Sequence, residues 1–115
     1  MSDLKRMQSE INAFRQARDW EQFHNIKDCA ISLSLEASEV LEHFQWKSSE
    51  ELTKYINKNK IELSHELADV FYWILLMSDD LNIDLDQAFT EKMALNKLKY
   101  PIKKSKGNHK KYTEL

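Results

Sequence analysis

The sequence predicts an all-α fold, a bundle of four to five helices. We expect oligomerisation with further copies of the chain to complete this bundle. Glycine and proline, which mark the turns of β-sandwiches and barrels, occur once each among 115 residues. In several long segments the apolar residues recur three or four positions apart, which is the period of an amphipathic helix. A chain of this length buries only a small core by itself, so we expect the bundle to pair with copies of itself.

Two helices are predicted in the first half of the chain. The first covers about Leu4–Arg18, and its apolar face consists of Leu4, Met7, Ile11 and Phe14. A loop through Trp20–His24 follows. Asn25 is a suitable N-cap for the second helix, which we expect to continue to about Trp46.

In the second half of the chain, the sequence predicts a short helix, a long helix and a last helix. Ser48–Glu51 has the pattern of a capping box and opens the short amphipathic helix. This helix continues, with a kink, into the long one over about Ile61–Asp80. A turn before Asp84 leads to the last helix, Leu85 to about Tyr100, which Pro101 ends because proline cannot continue a helix.

Charge divides the chain unevenly. Residues 1–91 hold 9 Lys and Arg against 18 Asp and Glu, whereas residues 92–115 hold 8 Lys and a single acid. The last helix, which Pro101 ends, belongs to the folded part of the chain. We therefore expect a domain over residues 1–101 and a basic C-terminal tail over residues 102–115. Because the body is acidic and would repel phosphate backbones, nucleic acid is not an expected partner.

Membrane and secreted classes are also not expected. The longest apolar run, Val70–Met77, is far shorter than the roughly 20 residues of a membrane span. The first residues lack the apolar stretch of a signal peptide. A single cysteine, Cys29, has no partner for an internal disulfide, which favours a reducing compartment. We expect a cytoplasmic protein.

Four carboxylates stand in two similar pairs. Glu36-x-x-Glu39 lies on the second helix and Glu66-x-x-Asp69 on the long one, and each pair shares a helix face. Apolar residues flank both pairs, which indicates that the acids point into the bundle. Clustered carboxylates repel one another, and a divalent cation relieves this cost. Oxygen ligands suit Mg²⁺ or Mn²⁺. The alternative is that both pairs lie on exposed faces, where this spacing is common.

Aromatic and polar residues follow the same faces. Trp46 lies seven residues after Glu39, and Trp73 seven after Glu66, so both could form a flat wall for a nucleobase. Ordinary packing between helices would explain either tryptophan equally well. A polar stripe on the last helix consists of Lys92, Asn96 and Tyr100. Such a stripe could hold phosphate oxygens or simply face solvent.

These motifs resemble the all-α nucleoside triphosphate pyrophosphohydrolases, the MazG-like superfamily, whose signature is Glu-x-x-Glu, a spacer and Glu-x-x-Asp. The likeness is greatest to the dCTP pyrophosphatase branch and spans nearly the whole chain. The similar stretches are Arg18–His24, Leu41–Lys47, Glu66–Val70, Lys92–Pro101 and Lys111–Leu115. Two positions depart from the pattern: position 73 is a tyrosine in relatives, and position 11 is a histidine in some of them.

The resemblance implies roles for part of the site. Mg²⁺, with Mn²⁺ as a substitute, would be held by Glu36, Glu39, Glu66 and Asp69. Trp20 and Trp46 would wall the base pocket, and Lys92 and Asn96 would contact the triphosphate. We add His24, Trp73 and Tyr100 as expected substrate residues, and Glu36 and Glu39 as catalytic ones, with Glu39 the first choice as proton acceptor. The resemblance also implies a homotetramer built as a dimer of dimers.

The expected activity is hydrolysis of a nucleoside triphosphate to the monophosphate and diphosphate. dCTP or modified pyrimidine triphosphates are the expected substrates, in a house-cleaning role for the nucleotide pool. A dUTP or dUDP hydrolase and a broad-specificity enzyme of the same superfamily remain alternatives. Two alternatives of another class are a non-catalytic helical interaction module and a di-iron bundle. The di-iron alternative rests on a single Glu62-x-x-His65 motif, where two are needed.

Overall fold

The computed structural model describes all 115 residues, and it contains six α-helices and no strand, which confirms the predicted all-α class. The helices are α1 (Asp3–Ala17), α2 (Ile26–Glu42), α3 (Ser49–Lys58), α4 (Lys60–Asp80), α5 (Leu85–Lys99) and α6 (Ile102–Ser105). Short 3₁₀ turns cover Glu21–Phe23 and Tyr112–Glu114. None of the helices combines the length and the apolar character that crossing a membrane requires.

Three helix starts lie where side-chain caps predict them. Asn25, Ser48 and Asp84 each accept a hydrogen bond from a backbone N–H three residues later, at 2.9, 3.3 and 3.1 Å. The predicted kink before the long helix is a full break at Asn59, whose φ is −113°. The side-chain amide of Asn59 donates to the carbonyl of Tyr55 at 3.0 Å, which caps α3 just before α4 begins.

The predicted end of the second helix was wrong. We expected it to reach Trp46, but α2 stops at Glu42. The chain then tightens into a turn in which the backbone N–H of Gln45 donates to the carbonyl of Leu41. Trp46 itself has a φ of 67°, a left-handed conformation that glycine or asparagine usually supplies and that stops a helix.

Residues 1–82 form one compact unit around α4. Helices α2, α1 and α3 all pack against α4, and the buried apolar core consists of Ile11, Cys29, Leu63, Leu75 and Leu76. Polar contacts add to the α1–α4 interface, because the Gln8 amide donates to the Leu75 carbonyl and to the Ser78 hydroxyl, both at 3.0 Å. This packing brings the inner faces of α2 and α4 together.

Residues 83–115 form a second compact unit, made of α5, α6 and the final 3₁₀ turn. The rings of Tyr100 and Tyr112 meet edge to face with centroids 6.0 Å apart, and the ammonium of Lys99 lies 4.8 Å from the Tyr112 ring centroid. The expected basic tail therefore contains short helical segments. The domain limit at residue 101 stays a prediction.

Candidate active site

Three of the four predicted metal ligands come together between α2 and α4. Glu36 and Glu39 from α2 and Glu66 from α4 each place one carboxylate oxygen within 4.8 Å of the others. Two of these side chains are partly buried, and Glu39 is exposed. Asp69 lies outside this group, although it lines the same cavity as Glu36. We call Glu36, Glu39 and Glu66 the carboxylate group.

The carboxylate group is electrostatically strained. Burial is the main cause that raises the pKa of Glu36, and the charges of Glu39 and Asp69 raise it further. The pKa of Glu66 is also raised, first by loss of water and then by Glu39, while the charge of His43 opposes the shift. Each of these two glutamates has a buried Oε2 with no hydrogen-bond partner.

These features fit a divalent cation. A buried carboxylate oxygen without a partner carries a desolvation cost that a bound ion would remove. Three clustered carboxylates supply the hard oxygen ligands of Mg²⁺ or Mn²⁺ and leave further coordination positions for water or phosphate. The side chains of this chain are therefore suited to hold a metal ion, and an all-oxygen set favours these two ions over softer ones.

A cavity of about 630 Å³ opens beside the carboxylate group. Its lining comes from α1, α4, the loop before α2 and Glu36, and consists of Met7, Glu10, Ile11, Phe14, Trp20, His24, Glu36, Ala68, Asp69, Phe71, Tyr72, Trp73 and Leu75. Aromatic and aliphatic side chains dominate this list, as in pockets that bind small organic ligands. An aromatic-lined space next to a carboxylate group can accommodate a flat base at one end and charged phosphates at the other.

Three of the predicted substrate residues, Trp20, His24 and Trp73, lie in this cavity. The rings of His24 and Trp73 meet edge to face with centroids 5.5 Å apart. His24 Nδ1 is buried without a hydrogen-bond partner. Burial lowers the pKa of His24, and the nearby charge of Arg15 lowers it further, so the neutral imidazole is favoured. A neutral ring can offer both a donor and an acceptor to a polar ligand.

The other predicted substrate residues are Trp46 and three residues of the second unit. Trp46 is 91% exposed and does not line the cavity. Lys92, Asn96 and Tyr100 belong to α5 and its C-terminal cap in the second unit, where only Asn96 is half-buried. Their roles stay predictions.

The Glu62–His65 motif does not contribute to the carboxylate group. Both side chains are exposed on α4, and neither belongs to the set of acidic residues that could hold an ion. The structure therefore gives the di-iron alternative no histidine ligand from this motif.

Sequence reasoning missed the link between His43 and Glu66. His43 Nε2 lies 3.7 Å from Glu66 Oε1, and the opposite ring nitrogen forms a hydrogen bond with the hydroxyl of Tyr55. The available signal was the spacing of His43, four residues after Glu39 and thus on the same helical face. No sequence signal indicated Tyr55.

Comparisons with known proteins show which proteins this chain is similar to in sequence and in fold. A model of the MazG-like family matches residues 31–115. dCTP pyrophosphatase 1 of Mus musculus is 36% identical over 117 aligned residues, which cover 100% of this chain and 67% of that protein. The Homo sapiens protein of the same name is 32% identical with the same coverage. A crystal structure of a pyrophosphatase from Archaeoglobus fulgidus superimposes with a TM-score of 0.82 at 34% identity, covering 88% of this chain and 94% of that one.

Proposed function

The chain belongs to the MazG-like family, and on that premise we propose that it is a Mg²⁺-dependent nucleoside triphosphate pyrophosphohydrolase. Such an enzyme cleaves the bond between the α- and β-phosphates and yields the monophosphate and diphosphate. The observation that carries the proposal is the carboxylate group, with two buried unpaired oxygens, beside an aromatic cavity. The relatives named dCTP pyrophosphatase 1 support the same reaction class.

The carboxylate group would hold the metal ion, and we propose Asp69, which lines the same cavity as Glu36, as the fourth ligand. Mg²⁺, when bound, neutralises charge on the phosphates and lowers the pKa of a water molecule. Glu39 is the exposed member of the group and is accessible to water. We assign Glu39 as the acceptor of the proton that the attacking water loses, and Glu36 as its catalytic neighbour.

The aromatic cavity would hold the base. Trp20 and Trp73, which line the cavity, would stack on the base, at about 1–3 kcal/mol per base, and His24 would offer polar atoms to the base edge. We propose dCTP or a modified pyrimidine triphosphate as substrate. Lys92, Asn96 and Tyr100 are proposed to bind the triphosphate, and Trp46 to cover the base. Lys92 would neutralise phosphate charge, because the chain contains no glycine-rich phosphate loop.

Product analysis tests this proposal. Purified protein incubated with dCTP and Mg²⁺ should release pyrophosphate and dCMP, with no orthophosphate, as measured by anion-exchange chromatography. The substitution Glu39→Gln should lower kcat by about 100- to 10,000-fold, because the amide cannot accept the proton and is a weaker ligand for the cation than a carboxylate. His65→Gln, an exposed change on α4, serves as the control and should leave kcat unchanged. A panel of canonical and 5-modified triphosphates would identify the preferred base, and no pyrophosphate from any of them would refute the proposal.

A further inference from the structure

His43 connects two helices to the carboxylate group. It follows the last residue of α2, and its imidazole lies between the Tyr55 hydroxyl of α3 and the Glu66 carboxylate of α4. Only 15% of the His43 side chain and 26% of the Glu66 side chain are exposed. The histidine thus occupies a largely dry position where three helices meet.

The two ring nitrogens have different partners. When the Tyr55 hydroxyl donates to Nδ1, the ring proton lies on Nε2, on the side of Glu66. Nε2 is 3.7 Å from Glu66 Oε1, within ion-pair range and a small movement away from a direct hydrogen bond. An ionised carboxylate only accepts hydrogen bonds, so a neutral His43 ring that faces Glu66 carries its proton on Nε2, and its Nδ1 accepts from the Tyr55 hydroxyl.

The two oxygens of Glu66 also differ. Oε1 faces His43, whereas Oε2 is buried and has no partner. A donor held against one oxygen restricts rotation of the whole carboxylate and so fixes the direction of the other. In known metal sites, partners outside the ligand shell orient ligands in this way, and their loss costs about 10- to 100-fold in metal affinity.

We propose that His43 is a positioning residue that engages Oε1 of Glu66 and leaves Oε2 for the divalent cation, and that Tyr55 holds His43 in this orientation. The inference rests on the proposed function, because it assumes that the carboxylate group binds a metal ion. His43 itself is not a ligand in this arrangement. It acts through Glu66, and Tyr55 acts through His43.

The position of Tyr55 depends on the break between the two helices. Asn59 caps α3 by donating to the Tyr55 carbonyl at 3.0 Å, which anchors the backbone of Tyr55 shortly before α4 begins. The ammonium of Lys47 lies 4.3 Å from the centroid of the Tyr55 ring and covers it. The residue that orients His43 is therefore anchored at its backbone and at its ring.

Binding of Mn²⁺ alone, measured by isothermal titration calorimetry without nucleotide, tests the inference. We expect His43→Leu to weaken Mn²⁺ binding by about 10- to 100-fold. His43→Gln keeps an N–H donor at a similar distance and should restore affinity to within a few-fold of the wild type. Tyr55→Phe removes only the hydroxyl and should give an intermediate loss. His65→Leu is the matched control on an exposed histidine and should leave the affinity unchanged.

The outcomes separate the inference from the proposed function. Unchanged Mn²⁺ affinity in His43→Leu, with normal binding by the wild type, overturns the positioning role alone. Equal losses in His43→Gln and His43→Leu would show that packing rather than the donor matters, and would also overturn it. If circular dichroism shows that His43→Leu does not fold, Tyr55→Phe decides, and unchanged affinity there refutes the inference. A wild-type chain that binds no Mn²⁺ overturns both the inference and the metal-dependent function.

Discussion

Glu36 shows most directly that a side chain suited to bind a cation lowers the stability of the metal-free fold. Its carboxylate is half-buried beside the charges of Glu39, Asp69 and Glu66, and its Oε2 has no hydrogen-bond partner. Burial and these neighbours raise its pKa, so the folded chain holds the proton more tightly than the unfolded chain does. Ionised Glu36 therefore opposes folding until a cation neutralises the group.

We expect Glu36→Gln to stabilise the metal-free protein increasingly as pH rises. Because the pKa of Glu36 is raised in the folded state, its contribution to stability is complete below the ordinary value of 4.5 and is lost as pH rises through the folded value. The amide does not ionise, so the variant avoids that loss. Urea unfolding in EDTA at pH 4.5 and pH 7.5 measures the free energy of unfolding of both proteins.

The matched control for this experiment is Glu42→Gln, an exposed change on the same helix. The difference in unfolding free energy between this variant and the wild type should not grow comparably between pH 4.5 and pH 7.5. A difference between wild type and Glu36→Gln that stays constant with pH would contradict the electrostatic account. Mg²⁺ should stabilise the wild type more than Glu36→Gln, since ligand binding to the folded state raises its stability.

At single residues, the sequence predicted the parts of the site that helix periodicity controls. A spacing of three fixes which face a carboxylate occupies, so Glu36 and Glu39 could be placed together before the fold was known. The partner helix was inferred from the matching pattern at Glu66. The contact of His43 with Tyr55 could not be predicted, because it depends on where α3 lies against α4.

The interface between α1 and α4 is stabilised by hydrogen bonds among polar side chains as well as by apolar packing. We call Arg15, Asn12, Asp79 and Asp80 the polar clamp. Arg15 is 4% exposed, and its two terminal nitrogens donate to the carboxylate of Asp80 at 2.9 and 3.2 Å. One of them also donates to the Asn12 side chain at 2.8 Å. Asn12 in turn donates to Asp79 at 2.7 Å. Bidentate pairing of this kind fixes the register of α1 on α4.

Arg15→Ala should lower the free energy of unfolding by about 2–4 kcal/mol. The change removes a buried cation and leaves Asp80 without its partner, and the effect is moderated because Asp80 is partly exposed. Arg6→Ala breaks an exposed pair with Asp3 at 3.9 Å and should cost less than about 0.5 kcal/mol. Urea denaturation followed by circular dichroism measures both. Similar losses of unfolding free energy in the two variants would refute the stabilising role of the polar clamp.

At the level of helices, the sequence predicted the starts that side chains cap, but it did not predict the C-terminal end of α2. Asn25, Ser48 and Asp84 cap their helices with their own side chains, which is a local signal. The end of α2 had no such signal, because neither glycine nor asparagine occupies position 46. Trp46 adopts a left-handed conformation at a cost that its surroundings must offset, and such strain often lies near functional sites.

At the scale of the whole molecule, many large apolar side chains are exposed and few are buried. Five apolar side chains are buried, while large ones stand open on both units: Leu35 at 61%, Leu67 at 59%, Phe89 at 67%, Leu98 at 78% and Ile102 at 79%. Exposed apolar side chains of this kind are typical of chains that associate. The small core that 115 residues allow leads to the same expectation, which stays a prediction.

We therefore expect an assembly larger than the 13.7 kDa chain, with a dimer of dimers as the predicted form. Sedimentation velocity at micromolar concentration measures it, and a stable monomer would contradict the prediction. We predict that the exposed Leu98 lies in the interface, so Leu98→Glu should weaken the assembly by at least about 100-fold, because it would remove an apolar contact of about 2 kcal/mol from each copy and bury a charge. The neighbouring exposed change Lys97→Glu adds the same carboxylate without removing apolar surface. If both variants weaken the assembly equally, charge rather than apolar burial joins the copies.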